Sequence, residues 1–296
     1  MKTIAIVGAG NVGRTLGRLF RAGEIFRVGH VYSRTEAKAR EAADFIGAGR
    51  PVWTLTEVEP AEVTLIATAD DAIAPTCDAL FAGAPATAGG TVFHCSGATP
   101  SSVLEGARER GRAIASLHPM KSFADPATSV ETFPGTYCAV EGDAAAVALL
   151  TDAVQAVGGQ PFTIATEEKL IYHAAAVFVC NYLPPLVEAG LACCAKAGVA
   201  RDQATAILRP IVEETVANIF AVGPARALTG PIARGDAALV ERQLAAVEAW
   251  RPDYGEIYRA LAGATVELAR TAGRARPDGL AEIEDLVRQA AARKSA

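Results

Sequence analysis

The run TIAIVGAGNVGRTLGRLF, residues 3–20, limits what this chain can fold into more than any other stretch. A short β-rich segment ends at Gly8, glycines fall at Gly8, Gly10 and Gly13 in the spacing GxGxxG, and an amphipathic pattern with Leu16, Leu19 and Phe20 starts at once. Gly8 permits a tight turn, Gly10 keeps the backbone open to a bulky anion, and Gly13 lets a helix pack closely on the strand. The first amides of such a helix lack intrahelical partners and act as anion donors. The spacing therefore predicts strand, turn and helix as the opening unit of a parallel α/β fold. A dinucleotide diphosphate is expected on Gly8, Ala9, Gly10, Asn11, Val12 and Gly13.

Alternation of short β-rich runs with helical patterns continues to about residue 165: TIAIVG, RVGHVYS, PVWTL, VTLIATA, TVFHCSG, AIASLHP, TYCAVEG and QPFTIAT. Between them, residues 11–22, 35–46, 71–82, 100–111 and 143–157 are Ala/Leu-rich and of helical length. Such a pattern predicts a doubly wound, parallel-type sheet with helices on both faces. After Thr166 the β signals vanish, and helical segments follow, broken near Gly198, Gly223, Gly230, Pro252 and Gly279. The expected fold class is α/β, with residues 1–165 as a dinucleotide-binding domain and residues 166–296 as an all-α domain for substrate and dimerisation. Only the last residues, ARKSA, read as a frayed tail. Ligands are expected at the carboxyl ends of the strands, where the two parts meet.

Composition narrows the partners. A net charge of −5 without any Lys/Arg block argues against nucleic acid, which needs a basic face to displace counterions. The six cysteines show no CxxC spacing, so no metal site is expected and a reducing cytoplasm fits best. The opening apolar run breaks at Gly8, too soon for a signal peptide. Residues 174–195 are interrupted by Asn181, Pro184, Pro185 and Glu188, which predicts a buried helix rather than a membrane span. The apolar faces of the Ala-rich helices exceed what one sheet edge can cover, which points to a homodimer.

The second strand ends near Ser33, where an NAD site would place an acidic residue against the ribose. Here the sequence is SRT. Ser33 can hydrogen-bond a 2′-phosphate, Arg34 can stack on adenine or pair with the phosphate, and Lys38 follows one turn later. NADP(H) is the expected cofactor. Thr68 and Ala69 end the fourth strand, and Ser96 with Gly97 ends the fifth; these are expected at the nicotinamide edge. Asp70 or Asp71 can equally cap the next helix.

Hydride transfer to a carbonyl or imine needs orientation and a proton donor. The segment KLIYHAAAVFVCNYL, residues 169–183, sets Lys169, His173 and Asn181 into apolar surroundings. In a regular helix, at about 100° per residue, His173 turns roughly 40° and Asn181 roughly 120° from Lys169, so the three share one broad face. His173 is the expected general acid, Asn181 an orienting group, and Lys169 the alternative donor. His118 in ASLHPMKSF either lines the same crevice or bonds loop backbone. In LTGPIARGD, Arg234 can clamp a carboxylate, or Asp236 can simply cap a helix.

The motifs GAGNVG, HCSGA, LHPMKSF, YHAAAVFVCNYL and LTGPIARGD run over nearly the whole chain. Together they resemble those of Rossmann-like proteins with a C-terminal DUF2520 domain. That group looks like a branch of the superfamily of β-hydroxyacid dehydrogenases, ketopantoate reductases, pyrroline-5-carboxylate reductases and prephenate dehydrogenases. The resemblance implies NADP-dependent reductase chemistry on a small-molecule substrate and a dimer-forming helical domain. Ketopantoate reductases carry a lysine followed by asparagines four and eight residues later. With Asn181 in the last place, the lysine position holds His173 and the middle one Val177, so a substrate other than ketopantoate is expected. A small hydroxy or keto acid and an imine both fit, and so do an F420-linked NADP reductase and a non-catalytic NADP(H)-binding sensor or scaffold.

Overall fold

All eight expected β-rich runs form strands in the computed structural model, which describes residues 1–59, 61–83 and 89–292. Of the expected tail, the part after Ala292 lies outside the described residues. The strands are β1 (Lys2–Val7), β2 (Phe26–Tyr32), β3 (Arg50–Val52), β4 (Val63–Ile66), β5 (Thr91–His94), β6 (Ala113–Pro119), β7 (Tyr137–Gly142) and β8 (Gln160–Thr163). Their order in one sheet is β3-β2-β1-β4-β5-β6-β7-β8. Ile4, Ile6, Val63, Leu65, Val92 and Phe93 are buried, as strands covered on both faces must be.

Pairing is parallel from β3 to β6, but β7 runs antiparallel to β6 and carries β8 parallel to itself. The expected parallel-type sheet is thus mostly parallel, with one antiparallel step that the sequence pattern did not reveal. Side chains alternate with a period of two in either ladder, so the pattern of residues does not reveal strand direction.

Helices α1 (Asn11–Ala22), α2 (Glu36–Ile46), α3 (Asp70–Phe81), α4 (Glu105–Arg108), α5 (Pro126–Glu131) and α6 (Ala144–Ala156) cover the sheet. Leu16, Leu19 and Phe20 bury one face of α1, and the Phe20 ring meets Phe26 edge-on at 5.2 Å. The helix expected over residues 100–111 shortens to a 3₁₀ turn, Ser101–Leu104, followed by α4. Ser101 gives both its N–H and its hydroxyl to Glu141, which fixes this segment from the sheet side. Helix α5 has no expected counterpart; Asp125 caps it by accepting from the Thr128 N–H at 2.8 Å, and Pro126 occupies its first position.

The chain divides into two compact units, Met1–Val179 and Cys180–Ala296. Helix α7 (Lys169–Ala176) belongs to the first and runs into a π-helical turn, Val177–Asn181. The regular helix expected over residues 169–183 is thus interrupted. Pro184 and Pro185 lack amides for the carbonyls of Cys180 and Asn181, and the winding widens just before them. The angle assigned to Asn181 on a regular helix therefore does not apply.

Cys180–Ala296 holds α8 (Leu183–Lys196), α9 (Arg201–Val222), α10 (Pro224–Ala227), α11 (Pro231–Arg234), α12 (Ala237–Trp250), α13 (Pro252–Ala272) and α14 (Pro277–Ala292). Val240, Ala262, Val266, Leu280 and Ile283 form its core. Asp236 caps α12 by accepting from the Leu239 N–H at 3.2 Å, so the bland reading of that residue holds. Helices α8 and α9 pack together yet expose Leu183, Leu186, Ile207, Ile211 and Phe220, the last at 84%. The buried helix expected over residues 174–195 is corrected accordingly: Phe178, Val179, Tyr182 and Leu183 are exposed. Lys169–Lys196 has the length and apolarity of a membrane-crossing helix by composition.

Candidate functional site

The turn after β1 is built as its glycines demand. Gly8 has φ +123°, donates its N–H to the Tyr32 carbonyl at 3.0 Å, and would place a Cβ 2.5 Å from the Ala67 carbonyl carbon. A Cβ on Gly13 would strike the Gly8 carbonyl, whereas one on Gly10 would meet open space. Gly8→Ala is expected to lower stability by about 1–3 kcal/mol, because it forces an L-residue into a strained conformation. A urea midpoint equal to that of the parent protein would refute this.

From this turn a cleft of about 690 Å³ extends past Ala9, Ser33, Arg34, Lys38, Thr68 and Ala69. Ser33 is buried and anchored through its N–H to the Val52 carbonyl at 3.1 Å. Thr35 caps α2 by accepting from the Lys38 N–H, and this sets Lys38 beside Arg34 on the rim. Neither cation has an acidic partner within ion-pair distance among the described residues. Val12 packs on the sheet core. The side chain of Asn11 faces elsewhere and donates to the carbonyls of Phe123 (2.7 Å) and Ala124 (3.0 Å), which tethers the loop after β6 to the glycine turn.

The next strand ends carry a second group of polar side chains. Ser96 donates to Asp70 Oδ2 at 2.7 Å and accepts from the Thr99 N–H at 2.9 Å. Asp70 thus braces the turn after β5, while Ala69 takes the capping place on α3. His94, fully buried, accepts from the Ser96 N–H at Nδ1 and lies 3.3 Å from the Pro100 carbonyl at Nε2. Burial, with the Lys169 ammonium adding to it, pushes this imidazole down to about 4, so it serves as a neutral brace.

Two further imidazoles converge on Gly97. A Cβ there would lie 2.6 Å from His173 Nδ1 and 2.8 Å from His118 Nε2. The rings stand 6.0 Å apart at 69°. Tyr172 closes the group, its hydroxyl 3.3 Å from His118 Nδ1. His118 is held down to about 4 by burial first, then by the Lys169 ammonium and His173, against Asp70. His173 Nδ1 and the Thr68 hydroxyl are buried without a hydrogen-bond partner among the described residues. Such orphans are rare enough in folded proteins to mark a place built for another group.

Lys169 lies one turn before His173, 1% exposed, and bonds Glu141 Oε1 at 3.2 Å together with the Ser116 hydroxyl. Glu141, also 1% exposed, further accepts from the Ser101 N–H, the Ser101 hydroxyl and the Thr166 hydroxyl. Burial alone would raise the Glu141 carboxyl, but the Ser101 bonds and the Lys169 charge outweigh it and hold it below the usual range. For Lys169, burial outweighs the attraction of Glu141 and lowers the ammonium.

Of the residues expected at the site, Thr68, Ser96, His118 and His173 lie at neighbouring strand ends or on α7, all within Met1–Val179. Lys169 is engaged deeper in that unit. Asn181 is exposed in the other unit. Tyr172, Asp70 as a brace, and the Glu141 hub escaped the sequence reading. Glu141 alone left a trace there, as one charge in the apolar run YCAV before a glycine.

Residues 136–265 match the model of DUF2520, a domain of unknown function. A Thermotoga maritima protein superposes with a TM-score of 0.71 at 24% identity, over 92% of this chain and 100% of that one. A candidate NADP oxidoreductase from Bacteroides fragilis gives 0.67 at 24% identity, over 92% and 97%. The reductive aminase of Aspergillus terreus, solved with NADPH and ethyl-5-oxohexanoate, gives 0.58 at 16% identity, over 99% and 94%. At these identities the likeness is one of fold. No curated protein matches the chain by sequence. Over residues 136–265 the chain is thus similar to DUF2520, and its fold is that of these solved structures.

Proposed function

We propose that the protein is an NADP(H)-dependent oxidoreductase acting between a small hydroxy acid and its keto acid, or between an amine and its imine. The observation that carries this reading is the pairing of the cation-rimmed cleft at the glycine turn with the orphaned His173 Nδ1 at the neighbouring strand ends. When bound, NADPH supplies the hydride from its nicotinamide. Amides at the start of α1 would hold the diphosphate, and Gly10 leaves room for it. Arg34, Ser33 and Lys38 would hold the 2′-phosphate, while Thr68 and Ala69 would stand at the nicotinamide edge. His173 donates the proton to the reacting oxygen or nitrogen, and Ser96 with His118 orients that atom. The exposed apolar face of α8 and α9 supports a homodimer. The NADP-related names of two fold neighbours agree with this assignment.

Fluorescence titration with NADPH, followed by a panel of keto acids and cyclic imines, tests the proposal. Tight NADPH binding without oxidation by any of them would favour a sensor instead. Arg34→Ala is expected to weaken NADPH about tenfold or more while barely changing NADH, since only the former carries the 2′-phosphate that a charged hydrogen bond would hold. Equal weakening of both cofactors would contradict the role given to Arg34.

A further inference from the structure

Sheet and helix periodicities meet at one place. Ser116 and His118 are two residues apart on β6 and so share a face; Lys169 and His173 are four apart on α7 and so share a stripe. The contact of Lys169 with Ser116 is therefore one step along the same seam from the contact of His118 with His173. Beneath that seam, His94, Ser116 and Glu141 stand side by side across three strands, paired in register. Glu141 also binds Ser101, which closes the turn bearing Ser96 and Gly97, and Thr166, which leads into α7.

We propose that the buried Lys169–Glu141 pair is the positioning device of the reaction site, setting the two imidazoles over Gly97 by locking the turn after β5, strand β6 and helix α7 to one another. This rests on the oxidoreductase reading for its purpose, but not for its geometry. Lys169 is a positioning residue here, since its ammonium is spent on Ser116 and Glu141. A fixed positive charge in this place also disfavours a second one on His118, which faces Lys169, Tyr172 and His173 from α7 and Asp70 from α3. His118 thereby stays a neutral hydrogen-bonding partner.

The test is NMR titration of the histidine rings in the full-length protein without cofactor or substrate. Removing one charge would leave the other buried and unpaired, so the pair is removed together in Lys169→Met/Glu141→Met. In that variant the His118 midpoint is expected to rise from about 4 by about 1 in pH, because the neighbouring ammonium is gone. Ser116→Ala keeps both charges; there the His118 midpoint is expected to stay low while the His173 ring resonances shift as the seam loosens. A folded double variant with an unmoved His118 midpoint overturns the electrostatic part. Unaltered His173 resonances in Ser116→Ala overturn the positioning, and that variant decides alone if the double one does not fold. Absence of turnover with every substrate, alongside the expected titrations, would defeat the oxidoreductase reading and leave the device standing.

Discussion

Glu141→Ala is expected to cost about 3–5 kcal/mol of folding stability. The reason is asymmetric. With the carboxylate gone, the Lys169 ammonium remains 1% exposed with no counter-charge, and Ser101 and Thr166 lose the acceptor they share. Replacing both members of the pair by apolar residues of similar volume should cost much less, since neither charge then needs solvation. Chemical denaturation of the three proteins checks this, and equal losses in single and double variants would show that packing, not charge, is at stake. Acid adds a second readout. The folded Glu141 carboxyl lies below its ordinary 4.5, so on acidification the unfolded chain takes up this proton first. The stabilisation is therefore complete above that range and is lost as pH falls through the folded value. Glu141→Gln should flatten this part of the stability profile.

His173→Ala should lower turnover about 10²-fold or more and leave NADPH affinity nearly intact. Its Nδ1 is buried and unpartnered, so the alanine variant forfeits no internal hydrogen bond at that atom, and stability should change little for a part-buried histidine. Loss of turnover in a well-folded variant is what separates a reacting group from a packed one. Steady-state kinetics on the best substrate of the panel, with a parallel NADPH titration, measure both quantities. Unchanged turnover would move the proton to another group, and the Tyr172 hydroxyl, 3.3 Å from His118 Nδ1, would be next in line.

Much of the first unit was legible residue by residue. GAGNVG specified its own turn because a φ of +123° at Gly8 and a helix packed hard against the Gly8 carbonyl exclude any Cβ locally. SRT placed Arg34 and Lys38 on the cleft for the same reason: a strand end and a capped helix start are short-range features. The opposite held for residues 169–183, where a regular helix was expected. Two prolines beyond its end widened the winding, a change in backbone geometry that side-chain period does not record.

Local residue patterns were enough for the eight strands, for helices α1, α2, α3 and α6 and for the glycine turn, since those follow from backbone sterics and side-chain period within a few residues. Tertiary structure alone decided that β7 opposes β6, that Lys169 finds Ser116 and Glu141 at sequence separations of 53 and 28, and that His118 and His173 meet over Gly97. Contacts at such separations depend on strand order and direction, and neither leaves a mark on the local pattern of residues.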